Sequence, residues 1–397
     1  MSSPSRRDVL RGAVSVPLAM LGAGSTAPDP RGDEAMENAL ELLSTKGPEF
    51  HGGLANHGPM AAEALVTLGR PQAVVPWVEG YRRQLDDRPA SRNAIPGNAW
   101  REALGDRARL GDWIAFFRRR VEEKPWGETV AEWVPRLAPG MIAAAFHGLI
   151  RAGHAARSLA RRETPARRRE LADGLAYWAA SYYAFPEGAG VSVTPALPSK
   201  ALPSVASVPP ERRVLNGFIL ARLAPLQSFE PFAGVAAMAD TSGDPSLFLS
   251  DLTETFAGVF LASVPPGSVI GFLHAITGPS ALRLLLPYLP AASVPAALRY
   301  AWQGAAAHYS GFGGVLARRS ADRVRGDLAE RIPAAPPGAA QETQNRAADH
   351  PADLIDQAIA TGDEHAIKLT EACLREYALQ RNAVYLHTAR HAIDRLG

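Results

Sequence analysis

The sequence predicts an all-α protein: a single large multi-helix domain with long Pro-rich loops. Three observations carry this. Apolar residues recur at helical spacing through most of the chain. Strand-like alternation is confined to one stretch, residues 190–197 (GVSVTPAL). No fixed-period repeat divides the chain, and 397 residues with 47% apolar content suffice for one sizeable core.

Taken in order, residues 1–27 stand apart from the domain expected over 28–397. Ser5-Arg6-Arg7-Asp8-Val9-Leu10-Arg11 fits the twin-arginine export pattern, and residues 12–27 are uncharged and mildly apolar. Small residues at Ala23, Ser25 and Ala27 offer cleavage points. The expectation is an exported protein, periplasmic or extracellular; the alternative is a basic leader on a cytoplasmic one. No segment beyond the leader is expected to anchor the chain in a membrane. Residues 33–45 place Met36, Leu40 and Leu43 on one side of a helix, and Pro59 opens another that stops near Gly69. Helices are expected over 71–85, 110–124, 129–140, 140–162 and 166–185. Further ones follow over 267–289 and 295–313, in a hairpin over 351–380, and over 382–396. Residues 185–212 and 331–350 are rich in Pro and small residues and read as loops, the first either a lid or a surface insertion.

Composition removes several function classes. A net charge of +2 gives no basic field for nucleic acid. The single cysteine, Cys373, excludes internal disulfides and cysteine-based zinc or iron–sulfur sites. GAGSTA (22–27) imitates a dinucleotide fingerprint but follows no strand, so no Rossmann site is expected. Of 42 basic residues only Lys46, Lys124, Lys200 and Lys368 are lysines, a bias that a GC-rich genome would produce.

Histidines in apolar helices are the chemistry-bearing feature, because a buried imidazole needs a partner. His57 precedes the helix at Pro59, where Asn56 could cap or orient it; a structural role is the alternative. His147, Arg151 and His154 lie at i, i+4 and i+7 in FHGLIRAGHA and share one helix face, either lining a polar pocket or forming a solvated stripe. His274 sits in GFLHAITGPSALRLLLPYL, where a hydrogen bond to a backbone carbonyl is the default. His365 and Lys368 are one turn apart in DEHAIKLTEACLREYALQ. A lysine amine that takes up carbon dioxide becomes an anionic oxygen ligand, which arginine cannot do. The alternative for Lys368 is a salt bridge to Glu364 or Glu371. His387 and His391 (HTARH) have zincin spacing without the catalytic glutamate.

In this order, NHGPMAAEAL, HGLIRAGHA, FLHAITGPSALRLLLPYL and DEHAIKLTEA resemble the landmarks of the questin oxidase-like family, over roughly residues 35 to 395. The resemblance implies an α-helical oxygenase. Fungal members open the quinone ring of anthraquinones with O2, and related members are non-haem iron enzymes with four histidines and a carboxylated lysine. Carried over by motif, it implies His57, His147, His274, His365 and Lys368 as Fe(II) ligands, with Arg151 and His154 beside the ligands or in the substrate pocket as candidate catalytic residues. Trp178, Tyr182 and Phe272 are candidates for a flat-ligand pocket or ordinary core. NADPH or another reductant is a possible co-substrate. The chain is shorter than fungal members and carries the export pattern, so a different substrate pool is open to it. Two other readings are a metal-independent NADPH-using Baeyer–Villiger-type monooxygenase and a non-catalytic protein that binds a hydrophobic ligand.

Overall fold

In the computed structural model, residues 29–188, 194–262, 266–313 and 350–397 are described. The export pattern and most of the 331–350 loop lie outside them, as does most of the strand candidate at 190–197. Of that candidate, Ala196 forms an isolated parallel bridge with Ala239. The strands that do form are two residues each, β1 (Glu49–Phe50) and β2 (Leu54–Ala55), paired antiparallel. All other regular structure among the described residues is helical.

Local signals start many of the helices. Asp29 caps α1 (Pro30–Leu42), and Thr164 caps α7 (Pro165–Ala180) ahead of a proline in the first turn. Between them lie α2 (Gly58–Thr67), α3 (Pro71–Tyr81), α4 (Leu110–Glu123), α5 (Trp126–Leu137) and α6 (His147–Arg161). Three short helices follow, α8 (Pro198–Ala201), α9 (Ile219–Leu223) and α10 (Glu230–Ala233), and then α11 (Pro245–Ala262). The chain continues through α12 (Pro266–Leu285), α13 (Val294–Phe312), α14 (Pro351–Ala360), α15 (Glu364–Gln380) and α16 (Val384–Leu396). The expected hairpin at 351–380 is α14 and α15, with Asp363 capping the latter by accepting from the His365 and Ala366 amides.

The structure departs from the sequence reading in several places. No helix is expected over 245–262, where α11 lies; this helix is apolar on most sides and shows no amphipathic stripe. By length and hydropathy Val269–Tyr288 could cross a membrane, contrary to expectation. It is instead a mostly buried core helix, packed against α6, α11, α13 and α15. The helix expected from residue 140 starts only at His147, because Ala144, Ala145 and Phe146 have φ of 46°, 56° and 68°. Three successive non-glycine residues in the left-handed region are unfavourable and stop the helix upstream.

Packing holds that turn in place. The Phe146 ring is fully buried and stacked on His308, with centroids 5.7 Å apart. It fills the space left by Gly278 on α12 and Gly304 on α13, where an added Cβ would stand 2.5 Å and 2.4 Å from the ring. Gly304→Ala should therefore destabilise the protein by about 1–3 kcal/mol despite alanine's better helix propensity. Thermal melting of the variant checks this; an unchanged variant would show that the ring has room to yield.

The site rests on four helices in a closed cycle. α2 packs on α6, α6 on α12, α12 on α15, and α15 back on α2. Each brings one histidine to the interior: His57 at the start of α2, His147 at the start of α6, His274 within α12 and His365 at the start of α15.

Candidate metal centre

The four imidazoles converge. Ring centroids are 4.6 Å apart for His57–His147, 4.5 Å for His57–His365, 4.5 Å for His147–His274 and 5.5 Å for His274–His365. Ring nitrogens of His57, His147 and His365 lie within 4.8 Å of one another. Asn56 orients the entry to α2 by bonding the Gly47 carbonyl and accepting from the Gly58 amide, and the His57 amide donates to Tyr81 Oη at 2.9 Å.

Tautomers follow from the hydrogen bonds. Nδ1 of His147 faces the Ala144 carbonyl, and Nδ1 of His274 faces that of Ile270 at 2.6 Å. Both Nδ1 atoms are therefore donors, so each Nε2 is an acceptor. The two Nε2 atoms stand 3.0 Å apart. Burial, together with neighbouring cationic groups such as Lys368, holds the pKa of His57, His147 and His274 well below the ordinary value. Neutral lone pairs pointed at each other repel unless a cation lies between them. This donor set fits a first-row metal ion of the imidazole-preferring kind, and the carbonyl contacts fix the rings as such a site requires.

Lys368 joins the cluster. It is 1% exposed, with Nζ 2.6 Å from His57 Nδ1. Lys46 and Lys124 pair with Asp87 and Glu132, whereas Lys368 makes no ion pair among the described residues. The suggested partner Glu371 is held by Arg157 and Arg375. Burial lowers the Lys368 pKa to about 7, against the opposing pull of Glu364 and Asp363, so a free amine is available near neutrality.

Arg151 and His154 are placed elsewhere. Arg151 makes a two-point pair with Glu170 of α7, at 2.6 and 2.7 Å. His154 Nδ1 meets Glu63 Oε2 of α2 at 2.8 Å. Neither lines the cavity. The shared face of α6 turns partly toward α7 and partly toward α2, whose carboxylates spacing alone does not reveal. Arg157, not singled out in the sequence, bridges Glu63 and Glu371 and so ties α6 to α2 and α15. Arg283 and Ser280 of α12 reach Glu376 of α15. This buried network fastens together the helices that carry the histidines.

The cluster opens on a cavity of about 550 Å³, within the usual range for small-molecule sites. His57, His147, His274 and His365 form part of its wall, and most of the remainder is apolar, including Phe50, Leu54, Phe218, Ile219 and Phe312. Trp178, Tyr182 and Phe272 are absent from that wall. Trp178 is fully buried and donates to the Gly140 carbonyl, Tyr182 covers Gly140, and Phe272 packs beside Phe312. The wall instead takes Tyr177, Arg107 and Glu364. Glu364 adjoins His365 in sequence, but no sequence pattern distinguishes Tyr177 from Trp178 on a helix buried nearly all round. His387 and His391 lie on α16, outside the cluster.

Residues 54–209 match the family model described as questin oxidase-like. The match includes His57 and His147 and ends before His274, His365 and Lys368. No curated protein matches the chain.

Proposed function

From the questin oxidase-like match and the histidine–lysine cluster, we propose that the chain is a non-haem iron oxygenase acting on a flat quinone-type or polycyclic aromatic compound with O2. One observation carries this reading: three buried imidazoles, a partly buried fourth and a buried lysine with no ion pair among the described residues meet at the wall of a largely apolar cavity. His57, His147, His274 and His365 would hold Fe(II) through neutral nitrogens. Lys368, carboxylated by carbon dioxide, would add an anionic oxygen that compensates the metal's charge. Bound Fe(II) would supply activation of dioxygen. The chain's own residues account for the remainder. Phe50, Ile219 and Phe312 give ring-sized apolar surface and exclude water, and the Ala144 and Ile270 carbonyls keep His147 and His274 in one tautomer. The export pattern at residues 5–11 favours a protein that leaves the cytoplasm already folded and metal-loaded.

Metal analysis of protein purified without a histidine tag tests the reading. About one iron per chain is expected, with oxygen uptake on hydroxylated anthraquinones or their reduced forms that stops on chelation and returns with Fe(II). Absence of iron after anaerobic Fe(II) addition would overturn it. Uptake that survives chelation and needs NADPH would favour the metal-independent monooxygenase.

A further inference from the structure

Among the described residues lining the cavity, Glu364 is the only one that brings a carboxylate. It is the first residue of α15, but the capping role there belongs to its neighbour. Asp363 accepts from the His365 and Ala366 amides at 2.7 and 3.1 Å. The natural helical partner of Glu364 is Lys368, one turn on at i+4, yet that lysine is turned to His57 Nδ1 at 2.6 Å. Arg107, a cationic residue of the same wall, is held by Glu49. Glu364 Oε1 stands 3.8 Å from His365 Nδ1, outside hydrogen-bonding distance. The Glu364 carboxylate accepts no hydrogen bond among the described residues. Its side chain is 18% exposed, and neither oxygen is among the sealed, unpartnered atoms. The carboxylate is thus accessible and free of partners at a largely apolar wall, beside one of the four histidines.

We propose that the Glu364 carboxylate accepts a hydrogen bond from a hydroxyl on an aromatic ring bound in this cavity, and so turns the hydroxyl-bearing edge toward His365. This rests on reading the cavity as an aromatic-substrate site. It makes Glu364 a specificity-determining residue that selects phenols and hydroquinones. A carboxylate has only lone pairs to offer, so an ether or carbonyl oxygen in the same place meets it with no proton between them. A site built to hydrogen-bond a hydroxyl discriminates strongly against the analogue lacking its proton.

The test uses 2-naphthol and 2-methoxynaphthalene, which share the ring and the oxygen and differ in a proton against a methyl group. Equilibrium dialysis is run at neutral pH, where the naphthol keeps its proton, against the full chain stripped with EDTA, so that no metal can take the oxygen. Wild type should bind the naphthol about 10-fold more tightly than the ether. Glu364→Met, of similar volume, should erase that preference. Equal binding of the two by wild type overturns the proposal. So does a preference that survives in the variant, which leaves Glu364 the ordinary role of an acidic residue in a first helical turn. A measurement independent of the variant's folding is the long-wavelength absorption band of naphthol bound to wild type. Relative to cyclohexane it should move further to the red than the band of the bound ether does, and equal displacement also overturns the proposal. Wild type that binds neither compound removes the aromatic-site reading and this proposal with it, whereas equal binding removes only the role of Glu364. The iron reading is decided apart from both, by the metal content of protein not treated with chelator.

Discussion

Lys368→Met yields a folded protein that no longer retains iron, and whose metal-free form melts at or above the metal-free wild type. The two effects come from one substitution with opposite consequences. Lys368 is buried beside four imidazoles and pairs with no carboxylate among the described residues, so its amine is costly to the metal-free fold. Methionine fills a similar volume without a polar end, which removes that cost. It cannot take up carbon dioxide, so the anionic oxygen ligand is lost, and iron affinity should fall roughly 100-fold or more. Metal content and thermal melting measured on the same preparation check both halves. Retention of full iron and oxygen uptake would show that the lysine is not a ligand, whatever the melting temperature does.

The second large effect lies behind the site. In Arg157→Ala, Glu63 keeps only the longer contact to Arg161, at 3.9 Å, and His154, and Glu371 keeps only Arg375. Breaking a buried ion pair from one side costs about 3–5 kcal/mol, and for a chain of this length that lowers the melting temperature by roughly 5 °C. The triple variant Arg157→Leu, Glu63→Gln, Glu371→Gln should recover much of the loss, since it removes the stranded charges as well. The same network sets the acid limit of the fold. Burial alone would raise the Glu371 carboxyl, but Arg157 and Arg375 overcome it and hold the pKa near 2. A carboxylate depressed in the folded state stabilises above its unfolded pKa, and that contribution is lost as pH falls through the folded one. Wild-type stability should therefore decline between about pH 4.5 and pH 2 from this group, and the Arg157→Ala variant should begin to unfold at higher pH. Melting curves across that range decide it; identical acid profiles would show that the network does not govern acid stability.

Helix content and most helix positions were legible because they depend on local rules. Proline and aspartate or threonine starts, and apolar residues three and four apart, appear wherever a helix has one face inward. α11 escaped notice because it is covered on nearly every side and has no stripe to read. The early start assigned to α6 failed for a related reason. Ala144, Ala145 and Phe146 have ordinary helix-compatible side chains, and the left-handed turn goes with long-range contacts, the Phe146 ring against Gly278 and Gly304. The motifs picked out His57, His147, His274, His365 and Lys368, through burial in apolar context and resemblance to a family pattern. Tyr177 and Arg157 carried no comparable mark. Each is one of several similar residues on its helix, and what distinguishes it is the neighbour it meets.

That division has a physical basis. Periodicity, capping and composition are short-range properties, so the order of residues alone established a helical chain with metal-competent side chains at four separated places. Which of those side chains meet is a long-range property. Lys368 and His57 are 311 residues apart, and the packing of four helices into a ring brings them to 2.6 Å. The same packing turned Arg151 and His154 from a shared helix face toward the carboxylates of two different neighbours. It also brought Tyr177, from the middle of a helix buried nearly all round, to the cavity wall.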